Sequence, residues 1–329
     1  MSGLGYRRAA SLEEAAGLAA VPGHELVAGG TDLLQRVEEG VQPPATLVDV
    51  AAADGLDAIV LDDAGATLGA MVKLEDAVRH PGLRDAFPAV VEALEATASV
   101  QVRNLATLGG NPLQKTRCPY FRDRSAPCNK RAPGSGCGAM TGRNRDTAIL
   151  GTSEHCIAAH ASDFAVAMTA LDAEVATTAP EGGRTLNFGE LLRTPGTEPE
   201  RDHTLAPGEL ITGYRLRRSP LAARSHYLKV RDRAEFAWAL CSAAVALELD
   251  RAGTIARARV AVGGVATKPW RLPRVEAALV DGEPSPARFS EAAARASEGA
   301  APRRDNAFKT TLLPRTVARA LDETARRSS

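Results

Sequence analysis

The chain has 329 residues, about two domains at roughly 150 residues each, and its 40 Lys+Arg balance 40 Asp+Glu, so the formal net charge is zero. Such a balance gives no basic face for nucleic acid, and 44% hydrophobic residues exclude a disordered chain. No run approaches the ~18 apolar residues of a membrane span, and the start, MSGLGYRRAASLEEAA, lacks an apolar stretch behind a basic beginning, so the expectation is a protein that starts in the cytoplasm.

In chain order, Ser11 with Glu14 makes a capping box before an Ala/Leu-rich helix. HELVAG (24–29) is a short strand, GGT a loop, DLLQRVEE (32–39) a helix stopped by Gly40, and ATLVDV (45–50) a second strand behind Pro43-Pro44. Residues 57–71 carry a hairpin signal around Asp62–Gly65. KLEDAVRH and PAVVEALEATAS read as helices, and VRNLATLGGN ends in a glycine turn. Residues 112–157 are polar, rich in Arg, Gly, Pro and Cys, and show no helix or strand period, which marks an insertion. SDFAVAMTALDA (162–173) is a helix with Ser162 or Asp163 near its N-cap, followed by two strands joined by a turn over 174–188. The loop 193–208 is the linker candidate. ELITGYRLR, SAAVALELD and IARARVAVGGV then read as an antiparallel sheet, and RLPRVEAALV, FSEAAARASEG and LLPRTVARALDETARR as helices, an α+β unit.

Four of the five cysteines fall within 39 residues, as Cys118-x9-Cys128-x8-Cys137-x18-Cys156. Structural zinc favours C-x2–4-C pairs, disulfides need an oxidising compartment, and a [4Fe–4S] cluster needs four converging thiolates without fixed local pairs. Cys118-Pro119 is a step also found in bacterial ferredoxins. Arg117, Arg122, Arg124, Lys130 and Arg131 offer charge against an anionic cluster. Iron–sulfur ligation, zinc and unliganded thiols all remain open on the residues alone. His155 and His160 flank Cys156 and read as polar loop residues or as substitute ligands, while Cys241 lies in an apolar strand and reads as core.

Ala28-Gly29-Gly30-Thr31-Asp32 follows a strand and opens a helix, offering backbone N–H groups to a phosphate. Thr107-Leu108-Gly109-Gly110-Asn111 has the same flavour. One Gly-Gly loop is usually only a tight turn, but two suggest a diphosphate clasped from both sides, as in a dinucleotide such as FAD. Gly263-Gly264 reads as a bulge or bend.

These residues together resemble a family. VAGGTDLL (27–34), RNLATLGGN (103–111), ASD (161–163), YLKVRDRAEFAWAL (227–240) and VGGVATKPWR (262–271) are similar to the FAD-binding medium subunit of the xanthine dehydrogenase/aldehyde oxidoreductase group of molybdenum hydroxylases. LQKTRCPYFRDRSAPCNKRAPGSGCGAM and GTSEHCIAAHASD resemble the branch whose flavoprotein subunit carries an extra [4Fe–4S] cluster, that of periplasmic-type aldehyde oxidoreductases. The resemblance implies an α+β fold, with a two-part FAD domain of the vanillyl-alcohol-oxidase-like type and a C-terminal domain with a small antiparallel sheet and helices. Its expected limits are 1–208 for the FAD domain, in subdomains 1–53 and 54–208 with the insertion at 112–157, and 209–329 for the C-terminal domain. It implies that Leu26, Val27, Ala28, Gly29, Gly30, Thr31, Asp32 and Leu33 wrap the FAD diphosphate, and that Thr107, Gly110 and Asn111 form the second wall. Asp163 and Lys229 match cofactor-contacting residues, although Lys229 also reads as a solvated strand lysine. Cys118, Cys128, Cys137 and Cys156 would ligate the cluster.

The implied function is electron transfer from [2Fe–2S] clusters on a small partner subunit, through FAD, to a terminal acceptor. Hydroxylation of an aldehyde would occur on a large molybdenum-cofactor subunit. No residue of this chain is then catalytic on the organic substrate. Such a complex is cytoplasmic, or periplasmic if a partner's twin-arginine signal exports it. The alternatives are a xanthine dehydrogenase or 4-hydroxybenzoyl-CoA reductase-type subunit, a stand-alone flavin oxidoreductase, and a zinc-stapled interaction protein.

Overall fold

A computed structural model describes residues 3–52 and 55–327. The expected subdomain boundary at 53/54 lies outside the described residues. Three sheets organise the described residues.

The first sheet is parallel, in the order β1 (Gly5–Arg8), β3 (Thr46–Asp49), β2 (His24–Val27). Helix Leu12–Ala19 joins β1 to β2, and helix Leu33–Glu39 joins β2 to β3. The cap forms in part as read: Ser11 Oγ accepts from the Glu14 amide at 3.2 Å, but the Glu14 carboxylate accepts from the Ala10 amide at 2.8 Å, one residue before the N-cap, so the reciprocal half of the box is shifted. Gly40 ends its helix at φ +66°, a conformation that favours glycine. Strand β1 was not anticipated. It is four residues long and mostly exposed, and it exists through pairing such as Tyr6 with Leu47.

The second sheet is antiparallel, in the order β4 (Ile59–Leu61), β5 (Gly65–Gly69), β8 (Leu210–Arg217), β6 (Glu174–Thr178), β7 (Thr185–Asn187). The reading of ELITGYRLR as a strand of the C-terminal sheet is therefore corrected: β8 is the centre of this sheet, with Tyr214 opposite both Leu68 and Val175. Alternation alone marks a strand but not its partners. The 193–208 loop likewise stays with this unit, since Leu192 bridges to His203 and the Thr204 amide donates to Leu191 O. Helices Leu74–Arg79, Pro81–Ala86 and Pro88–Glu95 bury Leu83, Phe87, Val90, Val91 and Leu94 in the same core as Leu68 and Tyr214.

The third sheet is antiparallel: β12 (Trp270–Arg271), β11 (Ile255–Gly263), β10 (Cys241–Leu249), β9 (Ser225–Val230). Cys241, Ala243, Val245 and Leu247 of β10 share a core with helices Pro273–Leu279, Pro286–Ala293 and Lys309–Ala325. Ala244 joins the core of the second sheet instead. Burial on both faces explains why β10 reads as a nearly continuous apolar run. Helix Asp163–Ala170, all eight residues buried, lies between the two sheets. Gly263 makes room for it: a Cβ there would stand 2.5 Å from Val166 Cγ2. Cys241 is in the core, as read.

Candidate functional site: a glycine-walled cleft beside a cysteine-lined hollow

A cleft of about 720 Å³ opens where the first sheet meets the second, a size in the range of cofactor sites. Every residue from Leu26 to Leu33 lines it, as do Thr107, Gly110 and Asn111. Both glycine loops are thus brought to one cavity. They touch at Gly29, where a Cβ would lie 2.0 Å from Leu105 O, so glycine is required by backbone approach. Gly30 has φ +71°, and a Cβ there would meet Leu34 Cδ1 at 2.7 Å. The amides of Gly29, Gly30 and Thr31 donate to nothing in the chain among the described residues. The second loop is fixed from below. Leu108 and Gly109 donate to Val72 O and Ala70 O, and the Thr107 hydroxyl accepts from the Gly110 amide. Ser162 Oγ, the cap of the buried helix, donates to Asn111 Oδ1. Buried Arg103, which donates to Glu75 and to Glu95 O and Thr97 O, anchors the start of this loop.

Asp163 and Lys229 are not in the cleft wall. They form a buried ion pair at 2.7 Å, with side chains 4% and 5% exposed. Lys229 also donates to Ala96 O, and Asp163 accepts from Thr97 Oγ1 and the Tyr227 hydroxyl. Burial first, then Asp163, pushes the Tyr227 hydroxyl well up, so it stays a donor. Thr97 lines the cleft, which puts this cluster directly behind the wall. The solvated reading of Lys229 is overturned, because β9 packs against helix Pro88–Glu95.

Asp32 faces the cysteine segment. Arg122 and Arg117 reach its carboxylate at 2.7 and 2.9 Å, and the Lys115 amide donates to it at 3.0 Å. Burial alone would raise its pKa, but Arg117, the Lys115 amide and Arg122 more than offset this and hold it below the usual range. Asp202 sits between Lys115 and Lys130. Burial opposes its charge, and the two lysines overcome it and lower its pKa to about 2. Lys115 and Asp202 line the cleft, while Lys130 lines the second site.

That second site is a small hollow bordered by Cys118, Cys128, Cys137 and Cys156. Little regular structure holds it: helix Pro119–Arg122, an isolated bridge between Cys128 and Cys137, and turns. Side chains bonded to backbone replace the missing ladders. Arg131 donates to Tyr120 O, Phe121 O and Ala126 O, Asn129 bonds His155 O and the Gly136 amide, and Ser135 Oγ accepts from the Cys128 amide. Among the cations read as surrounding the cysteines, Lys130 lines the hollow, whereas Arg117 and Arg122 are turned to Asp32. His155 also borders it, while His160 is half-buried, with its Nε2 3.0 Å from Pro112 O. Burial pushes the Cys118 thiol up to about 12 and the Cys156 thiol to about 11, so as free thiols they would be neutral and inert. Among the described residues, no group of three or more His, Cys, Asp or Glu is arranged to hold a metal ion.

Two sites missed by sequence reading complete the cleft. His203 and Glu200, on the loop expected to be a linker, lie in its wall, and His203 Nδ1 and Glu200 Oε2 are buried without a partner. Such atoms cost about 1–3 kcal/mol each when left unpaired. Burial first, then Lys115, lowers the His203 pKa, so the ring is neutral at pH 7.

A cleft walled by two glycine loops, between a small parallel sheet and an antiparallel one, has the form of a site for a dinucleotide. The profile described as FAD binding domain in molybdopterin dehydrogenase matches residues 2–216, and that of the CO dehydrogenase flavoprotein C-terminal domain matches residues 226–324. The chain belongs to this family of FAD-binding subunits of molybdenum hydroxylases. It is 45% identical over 305 residues, 92% of each chain, to the aldehyde oxidoreductase FAD-binding subunit PaoB of Escherichia coli. It is 25% identical to the nicotinate dehydrogenase FAD-subunit of Eubacterium barkeri, over 82% of this chain and 77% of that one. In fold it is similar to a chain of reconstituted CO dehydrogenase from Oligotropha carboxidovorans, with a TM-score of 0.77, 20% identity and 99% of each chain covered. A chain of quinoline 2-oxidoreductase from Pseudomonas putida 86 gives 0.75 at 22% identity, covering 98% of this chain and 97% of that one. No helix among the described residues is long and apolar enough to cross a membrane.

Proposed function

We propose that this chain is the electron-transfer subunit of a three-subunit molybdenum aldehyde oxidoreductase, linking [2Fe–2S] clusters on a small partner to a terminal acceptor. The observation that carries this is the single cleft onto which both glycine loops open. The aldehyde assignment is supported by the 45% identity to the E. coli aldehyde oxidoreductase subunit. FAD, when bound, supplies the exchange between one-electron and two-electron transfer. Leu26, Val27, Ala28 and Leu33 would give it an apolar wall, and the idle amides of Gly29, Gly30 and Thr31 would face its diphosphate. Thr107, Gly110 and Asn111 would close the opposite side. Asp32 would act by fixing the loop to Lys115, Arg117 and Arg122, and Asp163 with Lys229 by holding a charge pair behind Thr97.

We further infer that Cys118, Cys128, Cys137 and Cys156 hold one [4Fe–4S] cluster, which would supply a one-electron site. In support, all four border one hollow with a buried lysine beside it. A single tetrahedral ion about 2.3 Å from each sulfur needs the sulfurs closer together than a four-iron cube does. The domain division we propose keeps two units but moves the expected 208/209 boundary past β8, which pairs with β5 and β6 in the sheet of the first unit. The compartment is cytoplasmic, or periplasmic by export with a partner, and fractionation of the native complex tests it.

Anaerobic purification of the full chain should give a yellow-brown protein with one FAD and about four irons, inactive on aldehydes until both partners are added. Aldehyde oxidation by the chain alone would overturn the subunit reading, and bound zinc in place of iron would overturn the cluster.

A further inference from the structure

Four side chains in the cleft wall carry a buried polar atom without a hydrogen-bond partner among the described residues: Arg36 Nε, Arg117 Nε, Glu200 Oε2 and His203 Nδ1. The two arginines are otherwise engaged, both with Asp32 and Arg36 also with Glu25. Glu200 and His203 differ, because neither side chain makes a hydrogen bond or ion pair among the described residues. The loop that carries them is nevertheless firmly pinned. Lys130 Nζ donates to Pro199 O at 2.6 Å, Lys115 and Lys130 both hold Asp202, and the Arg193 amide donates to Asp202 O. Idle polar groups on a fixed loop are the arrangement of a preorganised binding wall.

The chemistry narrows what this wall can meet. Glu200 is an acceptor when ionised, and a carboxylate repels phosphate, so it does not face the diphosphate. His203 can donate or accept at Nδ1 according to tautomer. Together they suit a neutral, hydroxyl-rich segment, which FAD has in two places, its ribityl chain and its adenosine ribose. We propose that Glu200 and His203 form a hydroxyl-recognition pair for the sugar or polyol part of FAD. This rests on the reading of the cleft as the FAD site.

The test uses full-length apoprotein titrated with FAD and with FMN, for wild type, Glu200→Ala and His203→Leu. Each variant should bind FAD about 10- to 100-fold more weakly, while its apo melting temperature is unchanged or raised, because an unpaired buried polar group has been removed. FMN binding weakened in parallel assigns the contact to the ribityl chain, and FMN binding unaffected assigns it to the ribose. Wild-type FAD affinity in both variants overturns the pair, and so does a loss of apo stability that matches the loss of FAD. Failure of the wild-type chain to bind FAD at all overturns the reading of the cleft instead.

Discussion

The glycine-walled cleft and the cysteine-lined hollow share one chain and one Asp202, yet they are built on opposite plans. The cleft is bounded by strand ends and by loops hydrogen-bonded to a packed core, as when Leu108 and Gly109 donate to Val72 and Ala70. Its shape exists without a ligand. The hollow has only a satellite core of Val41, Phe121 and Cys128, and side chains such as Arg131 and Asn129 satisfy the turns. So small a core supplies little folding energy, and a bound group would have to supply the rest. A cofactor that enters a finished pocket and one that finishes its own pocket should respond differently to mutation.

The largest effect expected is at the cysteines. Serine at position 118, 128, 137 or 156 should remove nearly all iron and expose 112–157 to protease, while Cys241→Ser keeps the iron. Iron analysis with limited proteolysis decides this, and full iron in the first four variants would refute the ligand set. Next comes Gly29→Val, whose branched side chain must part the two loops at Leu105 O. FAD affinity should fall by at least ~100-fold, about 3 kcal/mol, with the iron retained. If iron and FAD vanish together, the two sites are not separately built.

A smaller effect follows from Asp202. Its folded pKa of about 2 lies below its ordinary 3.8, so its charge stabilises the fold above pH ~4 and this is lost as pH falls through 2. The contribution is about 2 kcal/mol. Urea unfolding of wild type and Asp202→Asn should differ at pH 6 by at least that amount and converge towards pH 2. A constant gap across that range would refute the charge argument. Smallest is Ser11→Ala, which removes one cap from the parallel sheet's first helix at about 1 kcal/mol. Thermal melts should register it, with FAD and iron contents unchanged.

Local signals were legible in the sequence and distant pairings were not. Ser11, Gly40, both glycine loops and the cysteine cluster are marked by residue type within a few positions. Strand β1 is not, because its evidence lies forty residues on, in β3. Strand β8 was legible as a strand but not as the centre of the FAD unit's sheet, since its partners flank a long excursion through the cysteines. The same excursion hid the role of 193–208: a Pro/Gly-rich polar loop looks like a linker until Lys115 and Lys130 are seen holding Asp202. Lys229 read as a cofactor contact or a solvated strand lysine, because the helix Pro88–Glu95 that packs over β9 lies more than a hundred residues earlier in the chain.

The buried helix Asp163–Ala170 bears on how the chain is made. Its residues join a core containing Ala244 and Ala261, which leave the ribosome long after it does. Arg259 and Arg271, which grip Asp172 just beyond it, are made equally late. During synthesis the helix therefore waits with one apolar side uncovered, and the second sheet cannot complete its core before β10 and β11 arrive. Folding of the two units is coupled in time, so arrest of translation before residue 241 would leave a sticky intermediate, the kind of species that chaperones retain.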